Sequence, residues 1–97
     1  MTTIDLSNIA VFVQVVESES FTAAAQELGL PKSSVSRSVA RLEEELGVRL
    51  LQRTTRALHL TAEGEVFHAA ARRILAEIET LENQVSGQGS TPQGLLR

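Results

Sequence analysis

Residues Ser20–Gly47 read SFTAAAQELGLPKSSVSRSVARLEEELG, and the reading of this stretch decides the fold. It describes two helices meeting at a tight corner. Ser20 is an N-cap residue whose hydroxyl can accept one of the unpaired N–H groups of the first turn, and Phe21, Ala24, Ala25 and Leu28 then recur on one face. Gly29 stops that helix because it is free to take a left-handed conformation. Leu30 and Pro31 make the corner, with Pro31 fixed at a φ suited to starting the next helix. In the second helix Val35, Val39, Leu42 and Leu46 follow one another at helical spacing, so at roughly 100° per residue all four fall on one narrow stripe.

Opposite that stripe stand Ser33, Arg37, Arg41 and Glu44, with Ser34, Ser36 and Ala40 on its flanks. The first two turns thus present Lys32, short hydroxyls and Arg37, without an acid. Such a surface suits the DNA major groove. Arginine can pair bidentately with O6 and N7 of guanine, and small side chains let the helix approach while serines bond bases or phosphates. The bland alternative is a solvated helix face, which the small-residue helix-corner-helix setting makes the weaker reading.

A chain of 97 residues is at most one small domain, with a modest core, so it must be compact or dimeric. The absence of cysteine excludes a disulfide framework and a thiolate zinc site, and is consistent with a reducing compartment. Met1–Ser7 lacks a leader pattern and no apolar run approaches the ~18 residues of a membrane span, so a soluble cytoplasmic protein is expected. The net charge of −3 is segregated. Pro31–Leu60 holds Lys32, Arg37, Arg41, Arg49, Arg53 and Arg56 against Glu43, Glu44 and Glu45, a local +3, while the rest holds three basic and nine acidic residues, −6. A basic middle within an acidic chain provides local attraction for phosphate that the whole-chain charge hides.

Met1–Thr3 is expected to fray, and Asp5 or Thr3 to cap a first helix running to about Glu17. In it Leu6, Ile9, Phe12, Val13 and Val16 form a stripe while Ala10, Val11 and Val15 make a second apolar flank. The spare flank should meet a later helix or a partner subunit. After a polar turn at Glu17–Glu19 comes the helix-corner-helix. Beyond Gly47, Val48, Leu50 and Leu51 form a short extended segment, then a basic tip, Gln52-Arg53-Thr54-Thr55-Arg56, then Ala57-Leu58-His59-Leu60. This fits a small β-hairpin, or wing, whose Arg53 and Arg56 could reach a minor groove or phosphates and whose Thr54 and Thr55 could donate hydrogen bonds; the alternative is an exposed polar turn.

Thr61 should cap a last helix with Glu63 and Glu65 near its positive end. Phe67, Ala71, Ile74, Ile78, Leu81 and Val85 then alternate four- and three-residue steps, the pattern of a heptad seam that pairs with a copy of itself. The alternative is a helix packed on its own core. Leu75 and Val66 lie off the seam, where they could touch the first helix. His59 and His68 have no second ligand at metal spacing and read as structural. Ser86–Arg97 is Gly/Ser/Gln-rich and reads as a flexible connector, ending on Gly94-Leu95-Leu96-Arg97 as if a longer protein continued.

Together these residues resemble the N-terminal DNA-binding region of the LysR-type transcriptional regulators, a winged helix-turn-helix family. The resemblance rests on Phe12, Ser20-Phe21-Thr22 with Ala24-Ala25, Leu28, Val35-Ser36-Arg37, Leu42-Glu43 through Leu46-Gly47, Leu50-Leu51, Arg53-Thr54, and Leu60-Thr61 with Gly64. It implies that Ser36 and Arg37 occupy recognition-helix contacts, with Lys32, Ser33 and Ser34 at neighbouring base or phosphate positions, Ser20 and Thr22 at the DNA backbone, and Arg53 to Arg56 in the wing. It further implies that Thr61–Val85 is a linker helix that pairs antiparallel with its mate. Gly94–Arg97 would then lead towards an effector-binding domain. Two departures stand out: Pro31 replaces a frequent capping Ser or Thr, and Leu51 a frequent Phe.

The expected fold is therefore mostly α: a winged helix-turn-helix of three helices and a small β-hairpin, followed by a long dimerisation and linker helix. Residues 1–61 would form the DNA-binding domain, 62–86 the linker helix and 87–97 a hinge. The expected function is sequence-specific binding of double-stranded DNA by a homodimeric bacterial transcription regulator, with the recognition helix at about 32–46 in the major groove and the wing at about 52–57 on the backbone or minor groove. The site residues are Ser20, Thr22, Lys32, Ser33, Ser34, Ser36, Arg37, Arg41, Arg53, Thr54, Thr55 and Arg56 for DNA, and Phe67, Ala71, Ile74, Ile78, Leu81 and Val85 for dimerisation. The DNA site would be an interrupted inverted repeat, and tetramers of the full-length protein are compatible with the resemblance. No cofactor or metal is expected in these residues; a small-molecule effector would bind the C-terminal domain. An enzyme is disfavoured, because the sequence offers no nucleophile-base pair, phosphate loop or metal-ligand cluster. The rival from another class is a coiled-coil interaction module without specific DNA binding.

Overall fold

The computed structural model describes residues 4–53 and 57–86. In chain order these form α1 (Leu6–Ser18), α2 (Phe21–Leu28), α3 (Lys32–Leu46), β1 (Leu51–Arg53), β2 (Leu58–Leu60) and α4 (Ala62–Ser86). The expectations for Met1–Thr3, for Thr54–Arg56 at the wing tip and for the hinge at 87–97 lie outside the described residues.

Local chemistry sets most of the boundaries. Asp5 is the cap of α1, its Oδ1 accepting from both the backbone N–H and the hydroxyl of Ser7 at 3.0 Å. The helix runs one residue past the expected end and stops at Glu19, which holds a left-handed φ of 56°. For a residue with a Cβ that conformation costs about 1–2 kcal/mol. Ser20 then opens α2 by accepting the Ala23 N–H at 3.0 Å, and Gly29 closes it at φ 69° while the Leu30 N–H reaches back to the Ala25 carbonyl. Pro31 occupies the N-cap of α3 itself, at φ −63° and ψ 146°, so Lys32 is the first helical residue. No side chain caps that helix, which is the consequence of proline standing at this position.

One core joins the elements. Phe12, Val15, Val35, Val39, Leu42 and Leu50 are its largest fully buried side chains. Both apolar sides of α1 are buried. The stripe side, through Phe12, Val13 and Glu17, faces α4, and Val11 and Val15 on the spare flank are buried in the same core. Leu46, at the end of its stripe, is only half-buried.

The hairpin pairs Leu51 with Leu60, Gln52 with His59 and Arg53 with Leu58, antiparallel. Its first strand begins at Leu51, later than expected, and Val48 stays exposed on the turn before it. Glu43 explains how so short a hairpin is held: one carboxylate oxygen accepts the N–H groups of Leu50 at 2.9 Å and Leu51 at 3.1 Å, and the other lies 3.7 Å from Arg49. Two charge-assisted bonds thus tie the base of the wing to α3.

The passage from hairpin to α4 is equally constrained. The Thr61 N–H donates to the Leu50 carbonyl, and the Thr61 hydroxyl donates to the Arg49 carbonyl while accepting the Gly64 N–H at 2.9 Å. Gly64 is buried against this loop; a Cβ there would collide with the Leu50 carbonyl oxygen. The capping role expected of Thr61 holds.

The heptad seam divides along its length. Ala71 is 2 % exposed within the chain's own core and so is closed to a second copy, which corrects its expected place in a dimer seam, whereas Phe67 meets Phe12 edge-on at 5.6 Å and is half-buried. A small residue at 71 is what lets α4 approach α1. Leu75 packs on the same core as expected, but Val66 stands mostly in solvent at 74 % exposure. From Ile74 onward the seam opens, reaching 56 % exposure at Leu81 and 78 % at Val85. At 25 residues and ~1.5 Å each, α4 is long enough to outrun the core.

Candidate nucleic-acid interface

The outer face of α3 is built by elimination. Val35, Val39 and Leu42 are wholly buried, and this fixes the rotation of the helix about its axis. Lys32, Ser33, Arg37 and Arg41 are consequently exposed, while Ser34 and Ser36 are half-buried at the edges of the face. Among the described residues Lys32 and Arg37 make no ion pair, so both cations are available to an outside anion. Arg41 differs: its Nε lies 3.5 Å from Glu45 Oε2 along the helix, a half-exposed pair that partly offsets its charge.

A shallow surface groove runs beside this face, lined by Ser34, Arg37, Ser38, Arg41 and Glu45 of α3 together with Asp5 and Asn8 of α1. Asn8 and Ser38 were absent from the sequence-derived set. Ser38 carried a readable signal, since it lies one turn beyond Ser34 on the same side. Asn8 carried none, because nothing local says that the start of α1 borders the face of α3. Glu45 Oε1 is buried there without a hydrogen-bond partner among the described residues.

The start of α2 forms a second part of the interface. The Ser20 oxygen accepts the Ala23 N–H as a cap, leaving its hydroxyl hydrogen to donate, and Thr22 is exposed on the first turn. Arg53, at the end of β1, places its guanidinium carbon 4.5 Å from the centre of the Phe21 ring. The wing is thereby brought to the N-terminal end of α2, an association that the sequence reading did not anticipate. Thr54, Thr55 and Arg56 lie outside the described residues.

Among the described residues no three His, Cys, Asp or Glu side chains come close enough to hold a metal ion. His59 is exposed on β2, and His68 packs its ring edge-on to Phe12 at 6.2 Å, with its Nε2 buried and lacking a partner among the described residues. No helix among those described is long and apolar enough to cross a membrane.

Comparison with known proteins agrees with this geometry. Residues 6–65 match the family of bacterial regulatory helix-turn-helix proteins of the lysR type. The chain is 52 % identical over 93 residues to an HTH-type transcriptional regulator of Xanthomonas campestris pv. campestris, covering 96 % of this chain and 27 % of that protein. It is 53 % identical over 89 residues to the HTH-type transcriptional regulator CrgA of Neisseria meningitidis serogroup C, covering 92 % of this chain and 30 % of the relative. The crystal structure of a BenM DBD/catB site 1 DNA complex superposes with a TM-score of 0.83 at 36 % identity, covering 90 % of this chain and 98 % of the other. The chain thus spans under a third of the length of these curated relatives. With a buried stripe that turns the cations of α3 outward, and a match across most of its helices and hairpin, the chain belongs to the LysR family of transcriptional regulators and constitutes their helix-turn-helix DNA-binding domain.

Proposed function

We propose that this chain binds double-stranded DNA sequence-specifically as a homodimer, with α3 in the major groove and the wing at the backbone or minor groove. The observation that carries the reading is the pair of cations Lys32 and Arg37, without an ion pair among the described residues, on a helix that buries Val35, Val39 and Leu42 on its other face. Arg37 reads a base edge; Ser33, Ser34 and Ser36 contact bases or phosphates beside it; Lys32, Thr22, Ser20, Arg41 and the wing cations hold the phosphates. The likeness to a protein solved on DNA supports this. The exposed Ile74, Leu81 and Val85 of α4, with the half-buried Ile78, form the dimer seam, and two-fold symmetry then calls for an interrupted inverted repeat with half-sites about one helical turn apart or a multiple of it.

In this reading the chain itself performs no catalysis and holds no cofactor, and it works in the cytoplasm as one part of a longer regulator whose other part takes a small-molecule effector. The division into a DNA-binding unit at 1–61, a linker helix at 62–86 and a hinge at 87–97 is the functional one, although α4 shares its first half with the core. The test is a selection of bound duplexes from random sequence, followed by a gel shift at moderate ionic strength. Enrichment of an inverted repeat supports the proposal. Self-association without duplex affinity even at low salt would replace it with the coiled-coil interaction module.

A further inference from the structure

Resting on the DNA-binding reading, we infer that Phe21 is a positioning residue for Arg53: its ring is a shelf that seats the wing's guanidinium beside the exposed first turn of α2, so that wing and α2 grip the phosphate backbone as one unit. The guanidinium carbon lies 4.5 Å from the ring centre, within the range of a cation–π contact. A guanidinium carbon seated over a ring is attracted by the π-face itself, which accepts no conventional hydrogen bond, so the contact holds the cation while donors remain for another partner. The ring itself cannot move far. Phe21 is half-buried and packed against the core, and the Ser20 cap at 3.0 Å fixes the turn that carries it.

The base of the same strand is anchored independently, by the bonds of Leu50 and Leu51 to Glu43. β1 is therefore held to α3 at one end and to α2 at the other. Neither tether is an ion pair on Arg53, which has no acidic partner among the described residues. A cation held by a ring instead of a carboxylate keeps its full charge for phosphate. Ser20 and Thr22, the residues on either side of the ring in sequence, put hydroxyl donors into the same neighbourhood.

Two measurements test the inference. The first needs no DNA: the ring face should shift the Arg53 δ and ε protons upfield in the NMR spectrum of the wild type. The shift should vanish in Phe21→Leu and persist in Phe21→Tyr. Unshifted protons in the wild type would overturn the proposal. The second is a double-mutant cycle of Phe21→Leu and Arg53→Ala, read by fluorescence anisotropy on a labelled random-sequence duplex at about 50 mM salt. With Arg53 present, Phe21→Leu should weaken binding about two- to fivefold, and Phe21→Tyr should restore it. In the Arg53→Ala background Phe21→Leu should change nothing. An equal loss in both backgrounds means that Phe21 acts through folding alone and overturns the proposal. A wild-type chain that binds no duplex brings down the DNA-binding reading and the proposal together, and the unmutated arm alone reveals it.

Discussion

The two ends of this molecule solve opposite problems. At the helix-corner-helix end the apolar side chains are enclosed, with Val35, Val39 and Leu42 at 0 % exposure, and the outward surface is Lys32, Ser33 and Arg37. At the far end of α4 the apolar side chains stand in the open, Leu81 at 56 % and Val85 at 78 %, among Glu77, Glu79 and Glu82. A face whose core is closed can offer only polar groups, and so selects a polar, charged partner. A seam whose core is open offers apolar area, and so selects another apolar surface. The acidic residues gathered on the second end also keep it from competing for phosphate.

The largest effect that would sharpen this contrast is on stability. Phe12→Ala removes the ring at the junction of α1 and α4 and should cost about 3–5 kcal/mol in urea unfolding of the monomer, whereas Leu81→Ala should change monomer stability by no more than about 0.5 kcal/mol. Comparable losses would mean that the far end is covered after all. Gly64→Ala should come next, at about 1–3 kcal/mol, because the added methyl collides with the Leu50 backbone carbonyl and crowds the Leu60 side chain.

On the DNA side, Arg37→Ala should lose about 1–3 kcal/mol on the selected site and relax discrimination at one base pair; affinity equal to wild type there would remove Arg37 from base readout. Lys32→Ala, the smallest change, should weaken binding to every sequence alike and reduce the salt slope by about one. Leu81→Glu should leave these affinities per protomer intact while sedimentation shows the dimer lost; a surviving dimer would place the interface elsewhere.

Much of this was readable from residue types alone, because helix ends are decided locally. Asp5, Ser20, Gly29, Gly47 and, as a cap on Gly64, Thr61 act within one turn of themselves, and the spacing of Val35, Val39 and Leu42 settles which way Arg37 points. What escaped were contacts between distant segments. Periodicity shows that Ala71 lies on an apolar face but not whose apolar face covers it, and it proved to be the chain's own. Glu43 looked like one of three acids in a row until its carboxylate was found on the hairpin amides, and nothing near Arg53 in sequence points to Phe21. Such pairings depend on how the elements are arranged, which local patterns do not encode.

The mounting of α4 carries one more consequence. Its first turn is fastened to the loop ahead of the hairpin by Thr61 from both sides, and Gly64 leaves not even a methyl group of clearance against the Leu50 carbonyl. A shaft so tightly keyed to its bearing cannot rotate alone. Any torque applied at Val85 must arrive at the hairpin, and in the proposed dimer the angle between two such shafts would set the spacing of the two wings.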